Sequence, residues 1–183
     1  QDCCYSSTLT NMFVRWSQFG AFSPLMQMHR QIGSGIQYPW SFGADGLSNY
    51  VDYCKIHTAL FPFFYTLAHE SASNGLPIIR PLVLIHQDDA NTHGLNHTFL
   101  LGNDMLVAAV VTNLATTRNV YLPTGTWYDF FTNRSWSGGG NVVWGAADAR
   151  PGSVDRVIFV DTIPPHPGGT ISEFSVVAGS FKT

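Results

Sequence analysis

Charge is the scarcest ingredient of this chain. Lys, Arg, Asp and Glu make up 11% of its 183 residues, against roughly 25% in an ordinary soluble domain. With 45% hydrophobic and 14% aromatic residues, there is ample material for a core and little to solvate a surface. Much of that surface is therefore expected to be covered, by further polypeptide, a partner or glycan. The nine basic residues are scattered and the net charge is −3, which excludes nucleic acid as a partner, since that needs clustered Lys and Arg. Long apolar runs are missing too. Met105 to Val111, the longest, has seven residues, where a membrane span takes about 20, so no membrane partner is expected. Cysteine is limited to Cys3, Cys4 and Cys54, an odd number and too few for a disulfide framework. A bridge between the adjacent pair would be strained, and Cys54 reads as a small core residue. No His-x3-His or Cys-x2-Cys pair and no Gly-x-Ser-x-Gly elbow is read, so neither metal nor cofactor is expected. A starting Met and a signal peptide are also lacking. The opening Gln1-Asp2 fits either a mature N-terminus or a cut in a longer protein. Two sequons, Asn96-His97-Thr98 and Asn133-Arg134-Ser135, permit N-glycosylation if the protein is secreted, and the compartment stays open.

What is present falls into two grammars. "NMFVRWSQF" (11–19) places Met12, Phe13, Trp16 and Phe19 at the spacing of a short amphipathic helix, which Gly20 ends. "AFSPLMQMH" (21–29) reads as a buried strand ending in His29, and "RQIGSGIQYPWSFGADG" (30–46) as a long loop. Over 47–73, Tyr50, Tyr53, His57, Leu60, Phe64 and Leu67 follow a helical rhythm. Val51, Cys54, Phe61, Tyr65 and Ala68 add a second stripe beside it. Two stripes predict a helix packed on more than one side, kinked at Pro62 and stopped at Gly75. His57 and His69 read as packing or solvent-facing residues of that helix. From Leu76 onward, "LPIIRPLVLIH", "TFLLGNDMLVAAVV", "TRNVYLP", "GTWYDFF", "GNVVW" and "DRVIFV" are short β-type runs between turn residues. Their spacing predicts an antiparallel sandwich or jelly roll. "NGLP" (74–77) is the expected boundary, and "PPHPGGT" (164–170) breaks the strand pattern.

These blocks carry a resemblance. "FVRWSQFGAFSPLMQMH", "YVDYCKIHTALFPFFYTLAHESASNGLPIIRPLVL", "DDANTHGLNHTFLLGNDMLVAAVV" and "TRNVYLPTGTWYDFFT" closely resemble, in order and spacing, the C-terminal part of family 31 glycoside hydrolases, the α-glucosidases, α-xylosidases and relatives. The resemblance runs from about residue 8 to about residue 161 and implies an α/β plus all-β fold. Residues 1–76 would be the end of a (β/α)8 TIM barrel, with "AFSPLMQMH" as its last strand. Residues 77–161 would be the proximal antiparallel β-sandwich, and residues 162–183 a tail or the start of a further β segment. A full barrel takes roughly 250 residues, so the barrel piece is expected to contact barrel polypeptide outside this chain.

Retaining α-glycosidases use two carboxyl groups about 5 to 5.5 Å apart. The resemblance implies that both are Asp lying upstream of the matched region, so no catalytic residue is expected in this chain. Two imitations are set aside. Trp127-Tyr128-Asp129 imitates the nucleophile's Trp-x-Asp-Met context, and Gly102-Asn103-Asp104 imitates the acid/base region. Both fall in sandwich segments, where they are expected to be turn and surface residues. His29 aligns with a family histidine that hydrogen-bonds the sugar, at the C-terminal end of the last barrel strand, where barrel enzymes place their sites. It is the substrate-binding candidate, for an α-linked oligosaccharide or glycoside. The alternative is a non-catalytic structural or carbohydrate-binding module derived from that family. Gln27 stands where many relatives have Arg, and "QDCCYSS" where they carry Asp-Ile-Gly-Gly-Phe, which leaves the sugar and linkage open.

Overall fold

The computed structural model describes residues 7–29, 37–112, 115, 117–145 and 158–161. The readings placed on Cys3 and Cys4, on the Gly-Ser-Gly loop at 33–35 and on the tail from 162 onward lie outside the described residues. The chain separates into two compact units. One holds the described residues up to 78 with 109–118, the other 79–108, 119–144 and 158–161.

The first unit is helical. Helix α1 spans Ser7–Ala21, so the helical pattern continues through Gly20 instead of stopping there. The segment beyond it departs from the sequence reading: "AFSPLMQMH" forms no strand. Ala21 closes α1, the amides of Phe22 and Ser23 turn back onto the carbonyls of Phe19 (3.2 Å) and Gly20 (3.1 Å), and residues 26–29 are irregular. A strand exists only when a neighbour completes its ladder, and no described strand pairs with this segment. Phe22 is nonetheless fully buried, its ring edge-on to Tyr53 at 6.4 Å.

A 3₁₀ turn at Pro39–Phe42 leads into α2, Gly43–Ala59, inside what the sequence reads as loop. The expected single long helix is two: α3 spans Phe61–Asn74, and the break falls at Leu60 instead of forming a bend at Pro62. Pro62 sits in the first turn of α3, where a missing N–H costs nothing. Gly75 ends α3 in the left-handed conformation (φ 77°), its amide on the Ser71 carbonyl at 2.9 Å, as C-cap glycines do.

Only the first of the two predicted stripes packs. Tyr53, Leu60, Phe64 and Leu67 are buried with Ile56, whereas Val51, Phe61 and Tyr65 are exposed. In α1, Phe13 and Val14 are buried while Met12, Trp16 and Phe19 face water. Phe13 stacks on Phe42 at 4.0 Å, and an added Cβ on Gly46 would come within 2.7 Å of the Phe42 Cβ. Arg15, also buried, donates to the carbonyls of Thr112 (2.8 Å) and Ala115 (2.7 Å). Two charge-assisted bonds thus tie a segment nearly a hundred residues downstream to α1.

The second unit is a six-stranded antiparallel sheet beside a two-stranded one. The strands are β1 Ile79–Pro81, β2 Thr98–Leu101, β3 Met105–Ala108, β4 Thr117–Leu122, β5 Thr126–Asp129, β6 Ser135–Ser137, β7 Gly140–Gly145 and β8 Ile158–Asp161. The large sheet runs β1-β2-β3-β8-β5-β6, and β4 pairs with β7. Part of "LPIIRPLVLIH" departs from the β reading: after β1 it turns into a short helix, α4, Leu82–Ile85. Conversely, "SWS" pairs as β6 although its pattern predicts no strand. The hairpin β2–β3 lies between β1 and β8, in register from Thr98↔Ala108 to Leu101↔Met105, and every residue of both strands is buried. Trp127 is 1% exposed and its indole N–H donates to the Pro123 carbonyl at 2.8 Å. Gly138 closes over the same point, where any Cβ would lie 1.9 Å from the Pro123 oxygen.

Candidate functional site

His29 ends the irregular stretch after α1. Two contacts hold the approach to it. The Trp16 indole N–H donates to the Gln27 carbonyl at 3.3 Å, and Met26 Cγ lies 3.4 Å from where a Gly20 Cβ would be. The His29 ring is exposed, and its Nε2 lies 2.5 Å from Gln27 Oε1. An amide oxygen only accepts, so Nε2 carries the proton there. With Nε2 engaged by Gln27, Nδ1 is the ring nitrogen left to meet a further polar group.

The two imitations take structural roles. Asp129 is 1% exposed, which corrects the surface placement expected of it. Its Oδ1 accepts from the Phe131 amide (3.0 Å), the Thr132 amide (2.6 Å) and the Thr132 hydroxyl (2.8 Å). An aspartate that caps its own turn in this way is committed to the backbone. Asp104 lies in the three-residue turn between β2 and β3, half-buried. There the fully buried Arg80 donates to the neighbouring Asn103 Oδ1 at 2.5 Å.

His57 and His69 contact residues of their own helical unit. His57 Nδ1 donates to the Ala21 carbonyl at 3.0 Å, joining α2 to the end of α1, and His69 meets the Tyr65 ring edge-on at 4.7 Å. His93 and His97 stand at the His-x3-His spacing, a pair that the sequence reading passes over. That spacing brings two rings together on a helix, but neither residue is in one, and His93 Nε2 is on the Gln87 carbonyl at 3.1 Å. Among the described residues no three His, Cys, Asp or Glu side chains are close enough to hold a metal ion. No described helix is long and apolar enough to cross a membrane.

Residues that sequence reasoning left inside a featureless loop are Tyr38 and Trp40. Their rings stack, centroids 4.8 Å apart and 23° between planes, while Tyr38 is 51% and Trp40 64% exposed. The available signal was the triplet Tyr-Pro-Trp, two aromatics around a residue of fixed φ.

Asp89 and Tyr121 are hydrogen-bonded in the β unit. The phenol donates to Asp89 Oδ2 at 2.5 Å, which holds the carboxyl below its usual range and pushes the phenol up. Burial lowers Arg118 to about 10. None of these groups lies near His29 in sequence.

Comparison with known proteins adds two family models in chain order. Residues 3–67 match the family 31 glycosyl hydrolase TIM-barrel domain, and residues 75–166 the family's C-terminal domain. The chain is 36% identical over 133 residues to alpha-glucosidase 2 of Bacillus thermoamyloliquefaciens, covering 73% of this chain and 17% of that protein. It is 33% identical over 154 residues to the alpha-xylosidase of Saccharolobus solfataricus, covering 84% and 19%. Among solved structures, the Flavobacterium johnsoniae dextranase complexed with isomaltotriose superposes with a TM-score of 0.75 at 36% identity, over 84% of this chain and 18% of that one. The chain thus spans less than a fifth of the length of each of these three relatives.

Proposed function

The chain belongs to glycosyl hydrolase family 31, and from that premise we propose that it is the C-terminal part of a retaining α-glycosidase acting on α-linked oligosaccharides or glycosides. Residues 1–76 form the end of the catalytic barrel, residues 77–161 the proximal β-sandwich, and residues 162–183 a tail or the start of a further β segment. The observation that carries this reading is the order of the matches, barrel model first and C-terminal model directly after it.

In this reading the two catalytic aspartates lie on polypeptide upstream of the chain. The turn role of Asp129 supports that division, because a nucleophile needs a carboxylate open to the anomeric carbon. His29 binds the sugar: Gln27 holds its Nε2–H, and Nδ1 hydrogen-bonds a hydroxyl. The remaining barrel is the partner of this piece. Supporting that partner, α1 keeps Leu9, Met12, Trp16 and Phe19 exposed at the 3-4-3 spacing of a helix-packing face.

The test is activity of the longer natural polypeptide on an aryl α-glucoside and an aryl α-xyloside. Activity is expected there and none from the 183-residue chain alone. In the longer protein, His29→Ala should lower kcat/KM by about 2 to 4 kcal/mol, as loss of a preorganised hydrogen bond does, with little change in Tm. Turnover by the 183-residue chain that disappears on changing Asp129 would sink the reading. A natural product of only these 183 residues, inactive but sugar-binding, would establish the non-catalytic module instead. Unchanged kcat/KM with a sharply lowered Tm would make His29 a packing residue.

A further inference from the structure

We propose that Tyr38 and Trp40 form an aromatic platform that stacks on a pyranose ring of the α-linked oligosaccharide, a second sugar-binding element besides His29. The inference rests on the carbohydrate reading above but uses different residues and a different kind of contact.

The pair is held outward by its mounting. Pro39 presets the backbone between the two rings, and the Ser41 amide closes the turn on the Tyr38 carbonyl at 2.9 Å. Two residues on, Phe42 points the other way, buried and stacked on Phe13 at 4.0 Å. Phe42 cannot shift toward α2, since Gly46 already approaches it more closely than any side chain would allow. An inward anchor beside a fixed turn leaves Tyr38 and Trp40 no way to fold onto the core. The cost of leaving two large rings in water is thereby built into the element.

What covers them is decided by shape and chemistry. The exposed rings of α1 follow helical spacing, which a neighbouring helix can meet ridge into groove. Tyr38 and Trp40 lie on a short turn and stack on each other, so the stack offers an outer ring face, with a phenol O–H and an indole N–H at its edges. A pyranose is the complementary body: one face is a plane of weakly positive C–H groups that suits the negative face of an aromatic ring. Its hydroxyls stand at the edge, where the polar rims can reach them. The platform follows His29 along the chain by about ten residues, consistent with a role in the same oligosaccharide site.

The experiment uses the 183-residue chain labelled with nitrogen-15 in its five Trp indoles and titrated with isomaltotriose. The buried, hydrogen-bonded Trp127 indole reports that the fold is intact. The Trp40 signal should shift and saturate in the millimolar range, and Tyr38→Ala or Trp40→Ala should weaken binding by about 3- to 10-fold. Met12→Ala, on the helix-packing face of α1, should leave binding unchanged. An unmoved Trp40 signal, or wild-type binding by Trp40→Ala, overturns the proposal. Should the separate chain lose the Trp127 signal, the KM of the longer natural polypeptide for isomaltotriose carries the test. A severalfold rise in Trp40→Ala supports the platform, and an equal KM overturns it. The titration needs no turnover, so binding through Trp40 together with a longer natural polypeptide that hydrolyses nothing would refute the glycosidase reading while leaving the platform standing.

Discussion

Helices α1 to α3 keep Leu9, Met12, Trp16, Phe19, Val51, Phe61 and Tyr65 in water, whereas β2 and β3 bury every one of their residues. Among the described residues of the β unit, only Val83 and Val143 are large, apolar and exposed. The contrast follows from how each element completes itself. A sheet is finished by strands that this chain contains, down to β8, which seats itself between β3 and β5. The helices bring two apolar faces and find partners here for one. Among the described residues the helices stay half covered, whereas in the large sheet every strand except the two at the edges, β1 and β6, has neighbours on both sides.

Four measurements would break or sharpen that contrast. The largest effect belongs to the closed unit. Trp127→Ala removes a fully buried ring and its bond to Pro123, and should cost about 3 to 5 kcal/mol in denaturant unfolding. A loss under 1 kcal/mol would mean that the β unit is not the tighter of the two. Next comes the tie between α1 and the 109–118 segment. Arg15→Met keeps the stem and removes the donors to Thr112 and Ala115, and should cost about 1 to 3 kcal/mol. An unchanged midpoint would show that the segment holds without it.

Smaller again is the exposed stripe. Met12→Gln with Trp16→Gln should leave the stability of this chain within about 0.5 kcal/mol while reducing its self-association in sedimentation. The same pair should destabilise the longer natural polypeptide, where the stripe is covered, and equal effects in both would remove the case for a covering partner. The smallest is local. Tyr121→Phe should raise the titration midpoint of Asp89, followed by carboxyl carbon NMR. Because the phenol lowers the folded-state pKa, the stability it lends is present above the unfolded carboxylate value of about 3.9 and is lost as pH falls through the lowered one. An unmoved midpoint would show that the Asn91 contacts, and not the phenol, set it.

Much of the local structure was legible in residue order. The inward stripe Tyr53, Leu60, Phe64 and Leu67, the Gly75 stop and the hairpin around Gly102-Asn103-Asp104 are short-range patterns. Periodicity and turn chemistry act there within a few residues. The candidate site was legible only as a residue, His29. That its Nε2–H is taken by Gln27, and that two rings stack nine and eleven residues further on, depends on side-chain positions that no spacing rule predicts.

By itself, the sequence determined which segments have one apolar face and which have two, because side-chain polarity at a given period is a local property. Only the tertiary structure decided which face finds a partner. Trp16 and Phe13 are both apolar and three residues apart in one helix, yet Phe13 is buried on Phe42 and Trp16 is open. "AFSPLMQMH" has the composition of a strand but no ladder to join, and "SWS" has little strand character but gains one beside β5. Burial and pairing are contacts between residues distant in sequence, and their free energy exists only once the chain has brought the partners together.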